Sequence, residues 1–123
     1  MKIVFLIARI LLGLMFTVFG LNGFLHFIPQ PMPTGDALAY FTVLGGTGYI
    51  KFVFAVQLIS GVLFLVGKYV PLALTLIAPV IVNILLFHAL MQPSGLPPGV
   101  LATILWAVVF YKERDAFAGI LRA

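Results

Sequence analysis

The sequence predicts an all-α protein, a four-transmembrane-helix bundle with a short outer-loop interfacial helix, and three observations carry that prediction. Of the 123 residues, 63% are hydrophobic and only 8% charged, with a mean hydropathy of +1.25. A soluble domain runs at roughly half apolar and about a quarter charged residues, so this chain could not cover a water-facing core. Four apolar runs each come close to the roughly 20 residues that a helix needs to cross about 30 Å of hydrocarbon. Backbone groups in lipid need internal partners, which leaves helices or a closed barrel. Residues 73–84 lack the polar and apolar alternation of barrel strands. The length allows a single domain over residues 1–123.

The first predicted helix covers residues 3–28, carries Arg9 as its only charge, and stops at Pro29-Gln30-Pro31-Met32-Pro33. It is longer than the about 7–15 apolar residues of a signal-peptide core and no small-x-small cleavage site follows, so it reads as a span. The outer loop, residues 29–48, is too long for a plain connector. Its alternating prolines favour extended polyproline geometry. Thr34 or Asp36 can cap a short helix that carries Leu38, Phe41 and Leu44 at i, i+3 spacing, lying in the interface or over the bundle mouth. Gly45-Gly46-Thr47-Gly48 ends it. That cluster has no preceding strand and no G-K-[ST], so it reads as a flexible turn and not a phosphate loop.

The second and third spans, residues 49–66 and 69–90, are separated by Gly67-Lys68, a break short enough for a tight helical hairpin. Pro79 removes the hydrogen bond to the Thr75 carbonyl and can kink the third span. The fourth, residues 97–112, opens on Pro97-Pro98, which suits a first helical turn. It is short for a crossing, so either Gly95-Leu96 lengthen it or the bilayer thins locally. In the tail, residues 113–123, Phe117, Ile120 and Leu121 stand among charges, as in a short interfacial helix.

Seven Lys plus Arg against three Asp plus Glu give a net charge of +4, but the basic residues are scattered singly, which speaks against nucleic acid as a partner. With four crossings, Lys2, Arg9, Lys68, Lys112, Arg114 and Arg122 fall on one side and Lys51 alone on the other. The positive-inside rule places that first side, and both termini, in the cytoplasm. The chain has no cysteine, which excludes disulfides, thiolate-held metals, c-type haem attachment and thiol nucleophiles.

Polar residues inside a membrane are costly and usually face protein, so they are the informative site candidates. They are Arg9, Asn22, His26, Gln57, Ser60, Asn83 and His88. Arg9 shares a helical face with Gly13, Phe16, Gly20 and Gly23, a stripe on which another helix can approach closely. It reads either as a side chain snorkelling to cytoplasmic headgroups or as a contact for an anionic head or a partner carboxylate. Asn22 and His26, at i, i+4, share a different face near the outer end of the first span, with Asn22 placed to orient the imidazole. Gln57 lies near mid-depth on a face with Ser60 and Gly61. Asn83 and His88 are about 140° apart on an ideal helix, so one pocket need not hold both. The bland reading of this set is interhelical hydrogen bonding. The functional one is a small apolar pocket with an amide and imidazole mouth, able to hold a quinone-like or lipid-like head on Asn22, His26, Gln57, Asn83 and His88. No catalytic residue is assigned. Two histidines without an intramembrane acid make a poor zinc or iron site, and His26 with His88 is a nonspecific pairing for haem.

These residues fall into an ordered set: Arg9-Ile-Leu-Leu-Gly13, Gly20-Leu-Asn22-Gly23 with His26-Phe27, Thr47-Gly48-Tyr49, Gln57-x-x-x-Gly61, and Ala78-Pro79-Val-Ile-Val-Asn83-Ile-Leu-Leu-Phe87-His88 with Pro93-Ser94-Gly95. Together, over nearly the whole chain, they resemble the DoxX family of small bacterial four-helix membrane proteins. The resemblance implies a bacterial inner-membrane protein linked to redox chemistry, since the family is associated with a thiosulfate:quinone oxidoreductase and with membrane complexes that handle oxidative and thiol stress. Related four-helix quinone reductases work through cysteine pairs, which this chain lacks. Many members carry an acidic residue where this chain has Gln57, so that proton carrier is missing here. The resulting expectation is a non-catalytic or accessory subunit of a quinone-linked system, with quinone as the candidate cofactor and a membrane redox partner or a second copy as partner. The alternative is a structural or chaperone-like module packed against another membrane protein. An autonomous enzyme ranks behind both, because almost no acid-base chemistry is available.

Overall fold

A computed structural model describes residues 1–28 and 33–120. The described residues form five α-helices: α1 (Lys2–Leu25), α2 (Gly35–Gly46), α3 (Tyr49–Val66), α4 (Val70–Leu90) and α5 (Leu96–Lys112). Four helical stretches, α1, α3, α4 and Pro93–Lys112, are long and apolar enough to cross a membrane. At most a third of the residues in each are buried within the chain, so most of the apolar surface faces outward and needs lipid as its solvent. The chain is a multi-pass membrane protein with an all-α, four-helix architecture.

The four spans form a ring in which α1 packs on α3 and α5, and α4 on α3 and α5. The α1–α3 seam is the most extensive and is built on glycine. A Cβ added at Gly20 would lie 2.8 Å from the Leu58 backbone nitrogen, and one at Gly61 would lie 2.9 Å from the Phe16 carbonyl carbon. The glycine stripe read from the sequence is therefore the surface on which α3 rests. These contacts set an antiparallel register, with Gly13 opposite Leu65 and Gly23 opposite Phe54.

Core packing is concentrated in one half of the bundle. Leu12, Phe64, Leu74, Ile77 and Val109 are fully or almost fully buried, and they belong to the half that holds the two chain ends. There the indole N–H of Trp106 donates to the Leu74 carbonyl at 3.0 Å, joining α5 to α4, and Phe5 stacks on Tyr111 between α1 and α5. The opposite half, where α2 lies, encloses a cavity.

Several boundaries differ from the sequence expectation. Helix α1 ends at Leu25, three residues early, because His26 turns left-handed (φ 52°, ψ 42°) and returns its backbone N–H to the Asn22 carbonyl. The loop helix forms, but without a side-chain cap from Thr34 or Asp36; Asp36 acts only as an acid in the first turn. Of the three apolar residues expected on one face, Phe41 packs on Phe87 of α4 and Leu44 is partly buried, while Leu38 is exposed; Ala37 is buried and Tyr40 packs beside Phe41 on the same Phe87 ring. The α3–α4 hairpin uses three residues, with Gly67 and Tyr69 both at positive φ. The fourth span gains a 3₁₀ turn, Pro93–Gly95, so extra residues supply its length. The tail forms a 3₁₀ turn, Arg114–Phe117, in place of an α-helix, and Phe117 packs on Phe110 at 4.9 Å. The proline stretch 29–32 and residues Leu121 and Arg122 lie outside the described residues.

Candidate functional site

The cavity has a volume of about 640 Å³ and is enclosed by α1, α3, α4 and α5, with α2 across its mouth. Asn22, His26, Gln57, Asn83 and His88 all line it. The five ligand-binding candidates thus converge on one space, Asn83 and His88 included. Pro79 lies on the N-terminal side of both residues, so any bend there leaves their mutual angle unchanged. Both reach one cavity because it is wide, with α2 covering Asn83 and the Pro93–Gly95 turn covering His88.

Each group is held differently. Gln57 is only 6% exposed and brings an amide to the cavity wall from the middle of α3. Asn83 donates through Nδ2 to the Tyr40 hydroxyl at 2.9 Å, which ties α4 to the loop helix. Tyr40 and Phe41 also pack against Phe87, with ring centroids 4.7 and 5.2 Å away. The loop helix therefore lies over the bundle mouth, one of the two placements expected for it.

The His88 ring rests against Gly95, where any side chain would collide with it, and its Nδ1 lies 3.1 Å from the Gln92 carbonyl. A carbonyl only accepts, so Nδ1 is the donor in this contact. His26 is exposed at the cavity mouth, placed there by the left-handed turn that ends α1. The expected orienting bond from Asn22 is not formed. Asn22 Oδ1 instead accepts the Ile28 backbone N–H at 2.7 Å, since the chain leaving α1 brings that unpaired donor closer than the imidazole.

Arg9 lies at the far end of the bundle from this cavity. Its guanidinium donates through Nη1 to the carbonyls of Phe64 and Leu65, two of the last α3 carbonyls, which helical geometry leaves without partners. Gly67 makes room for it, because a Cβ there would lie 2.6 Å from Nη1. Arg9 is thus a cap on the C-terminus of a neighbouring helix, a role that neither sequence reading contained. Ser60 and Thr17 are buried in the helix interfaces with hydroxyls that lack partners, and neither lines the cavity. Among the described residues no three histidine or acidic side chains come close enough to hold a metal.

Sequence reasoning missed Lys51, Tyr40 and Gln92 as cavity residues. Lys51 alone carried a signal, as the one basic residue separated from the rest.

Fold and site together define a multi-pass membrane protein with a polar-lined apolar cavity in one half of its bundle. Compared with known proteins, the chain matches no family model, no curated protein and no solved structure.

Proposed function

We propose that this is a DoxX-like protein of a bacterial inner membrane, with both termini cytoplasmic, acting as a non-catalytic accessory subunit of a quinone-linked redox system whose cavity holds a quinone or lipid head. The observation that carries this reading is the convergence of Asn22, His26, Gln57, Asn83 and His88 on one cavity. Its volume falls within the range of small-molecule sites, about 300–1,000 Å³, and a few polar groups in an apolar wall fix a ligand's orientation. A quinone carbonyl accepts hydrogen bonds, and the Gln57 amide supplies a donor at depth. A quinol hydroxyl donates them, and the imidazole of His88, which also lines the cavity, brings a second ring nitrogen that accepts in the neutral tautomer. No carboxylate lines the cavity among the described residues, so the site suits holding a redox head more than cycling protons through it.

The test is mass spectrometry of quinones and lipids that copurify with gently extracted protein, wild type against Gln57→Leu and His88→Ala. A stoichiometric quinone or single lipid species, lost from both variants while circular dichroism shows the fold intact, is the expected result. Only bulk phospholipid, in equal amount in all three, would refute the pocket and favour the structural or chaperone-like module.

A further inference from the structure

Lys51 is the one formally charged side chain among the residues that line the cavity. It lies in the first turn of α3, whose N-cap Gly48 offers no side chain and whose first turn holds no acid. The positive end of that helix therefore lies beside Lys51 with no acid in its first turn to neutralise it. The glycine register sets Gly23 opposite Phe54, which brings His26 at the end of α1 level with the start of α3. The mouth thus gathers an ammonium, an imidazole and a helix N-terminus, while among the described lining residues there is no carboxylate. Gln57, which is buried, lines the same cavity six residues further along α3, about 9 Å deeper. Below the mouth the wall is dominated by aromatic and aliphatic side chains such as Phe16, Phe19 and Phe54. Under the proposed orientation, Lys51 opposes the charge asymmetry that sets topology, so topology gives no reason for it.

We infer that the cavity selects an acidic amphiphile, its phosphate or carboxylate paired with Lys51 at the mouth, a neutral oxygen hydrogen-bonded to Gln57, and its hydrocarbon against the aromatic wall. This rests on the reading of the cavity as a head-binding pocket and narrows it to ligands that carry negative charge. Size narrows it further. At about 30 Å³ per water-sized group, 640 Å³ holds roughly twenty such groups, enough for one head and part of one chain.

The experiment measures thermal stability of purified protein in a neutral maltoside detergent, titrated with lysophosphatidate, oleate, lysophosphatidylcholine or decylubiquinone. For the wild type, the acidic probes should stabilise at concentrations at least tenfold below the zwitterionic one. Lys51→Gln should erase that preference, Lys51→Arg should keep it, and salt should weaken it. Lys51 is exposed, so both variants should fold, and circular dichroism checks this. A lower midpoint for lysophosphatidate identifies a phosphate head drawn from the bilayer, whereas a lower midpoint for oleate identifies a free carboxylate; either supports the inference. Equal acidic midpoints in wild type and Lys51→Gln would overturn it. Binding of decylubiquinone alone, sensitive to Gln57→Leu, would overturn it while leaving the pocket in place. No probe responding to Gln57→Leu would overturn both.

Discussion

Replacing Gly61 by alanine tests whether glycine holds the α1–α3 seam together. A new Cβ would lie 2.9 Å from the Phe16 carbonyl carbon and 2.6 Å from Thr17 Oγ1, and it would also meet the Thr17 backbone nitrogen. Ordinary contact begins near 3.4 Å, so α1 must retreat by about 1 Å to clear the nearest of these, the Thr17 nitrogen, and a gap of that order forfeits up to about half of each dispersion contact along the seam. Two of those three neighbours are backbone atoms, which cannot rotate aside. Overpacking costs about 1–3 kcal/mol, and against backbone it falls in the upper part of that range, about 2–3 kcal/mol, offset by about 1 kcal/mol from the better helix propensity of alanine. The expected net loss is about 1–2 kcal/mol, read as a Tm lower by about 3–8 °C in a detergent melt. Gly46→Ala on α2, where an added Cβ meets nothing within 4 Å, should leave the Tm unchanged or slightly raised. If Gly61→Ala melts at or above the wild type, the close-packed seam is not what holds these helices.

Arg9→Met removes the cap from α3 and should lower stability by about 1–2 kcal/mol, with Arg9→Lys recovering part of it, as read by chemical or thermal unfolding in detergent. Tyr40→Phe deletes the hydrogen bond to Asn83 while keeping the ring against Phe87, and should raise amide exchange in α2 at a cost of about 0.5–1.5 kcal/mol, with exchange in α4 near Leu74 unchanged. His26→Asn tolerates the left-handed turn, so its Tm should match the wild type, whereas His26→Val should lose about 1–2 kcal/mol through backbone strain alone. For the proposed orientation, single cysteines at Ser94 and Lys68 should label from opposite faces of sealed membranes, with Ser94 outside; a cytoplasmic Ser94 would refute it.

Much of this architecture was legible from chain chemistry. The span limits at Tyr49, Val66 and Lys112 coincide with Gly or charge, which act locally and can be read without a partner. The end of α1 could not be read that way, because His26-Phe27-Ile28 hold no Gly, Pro or formal charge, and the stop is the left-handed turn at His26 with Asn22 accepting the Ile28 amide. The inward face of α2 was legible in part: Phe41 packs and Leu44 is partly buried, but the exposure of Leu38 and the inward turn of Tyr40 depend on Phe87, more than forty residues away. In the site, intramembrane cost pointed to the five uncharged polar residues, since a lipid-facing amide is expensive wherever the chain folds. Lys51 escaped that filter because it lies at a helix start, where a charge carries no burial cost, and Arg9 was read as seeking headgroups or an anionic partner when its neighbours are peptide carbonyls.

The protein has one tryptophan, and its position turns it into a built-in optical reporter. Trp106 is hydrogen-bonded to α4 and stacked on Phe110 at 5.0 Å, on the solid side of the bundle. Ala102, one turn earlier on α5, lines the cavity floor, which leaves about 6 Å of helix between that floor and the fluorophore. A quinone ring resting on Ala102 would quench the emission by electron transfer over that separation. A saturated acyl chain in the same place would leave the intensity unchanged and could only shift the colour through polarity. The native fluorescence therefore separates the two ligand chemistries without a label, a substitution or a coupled assay.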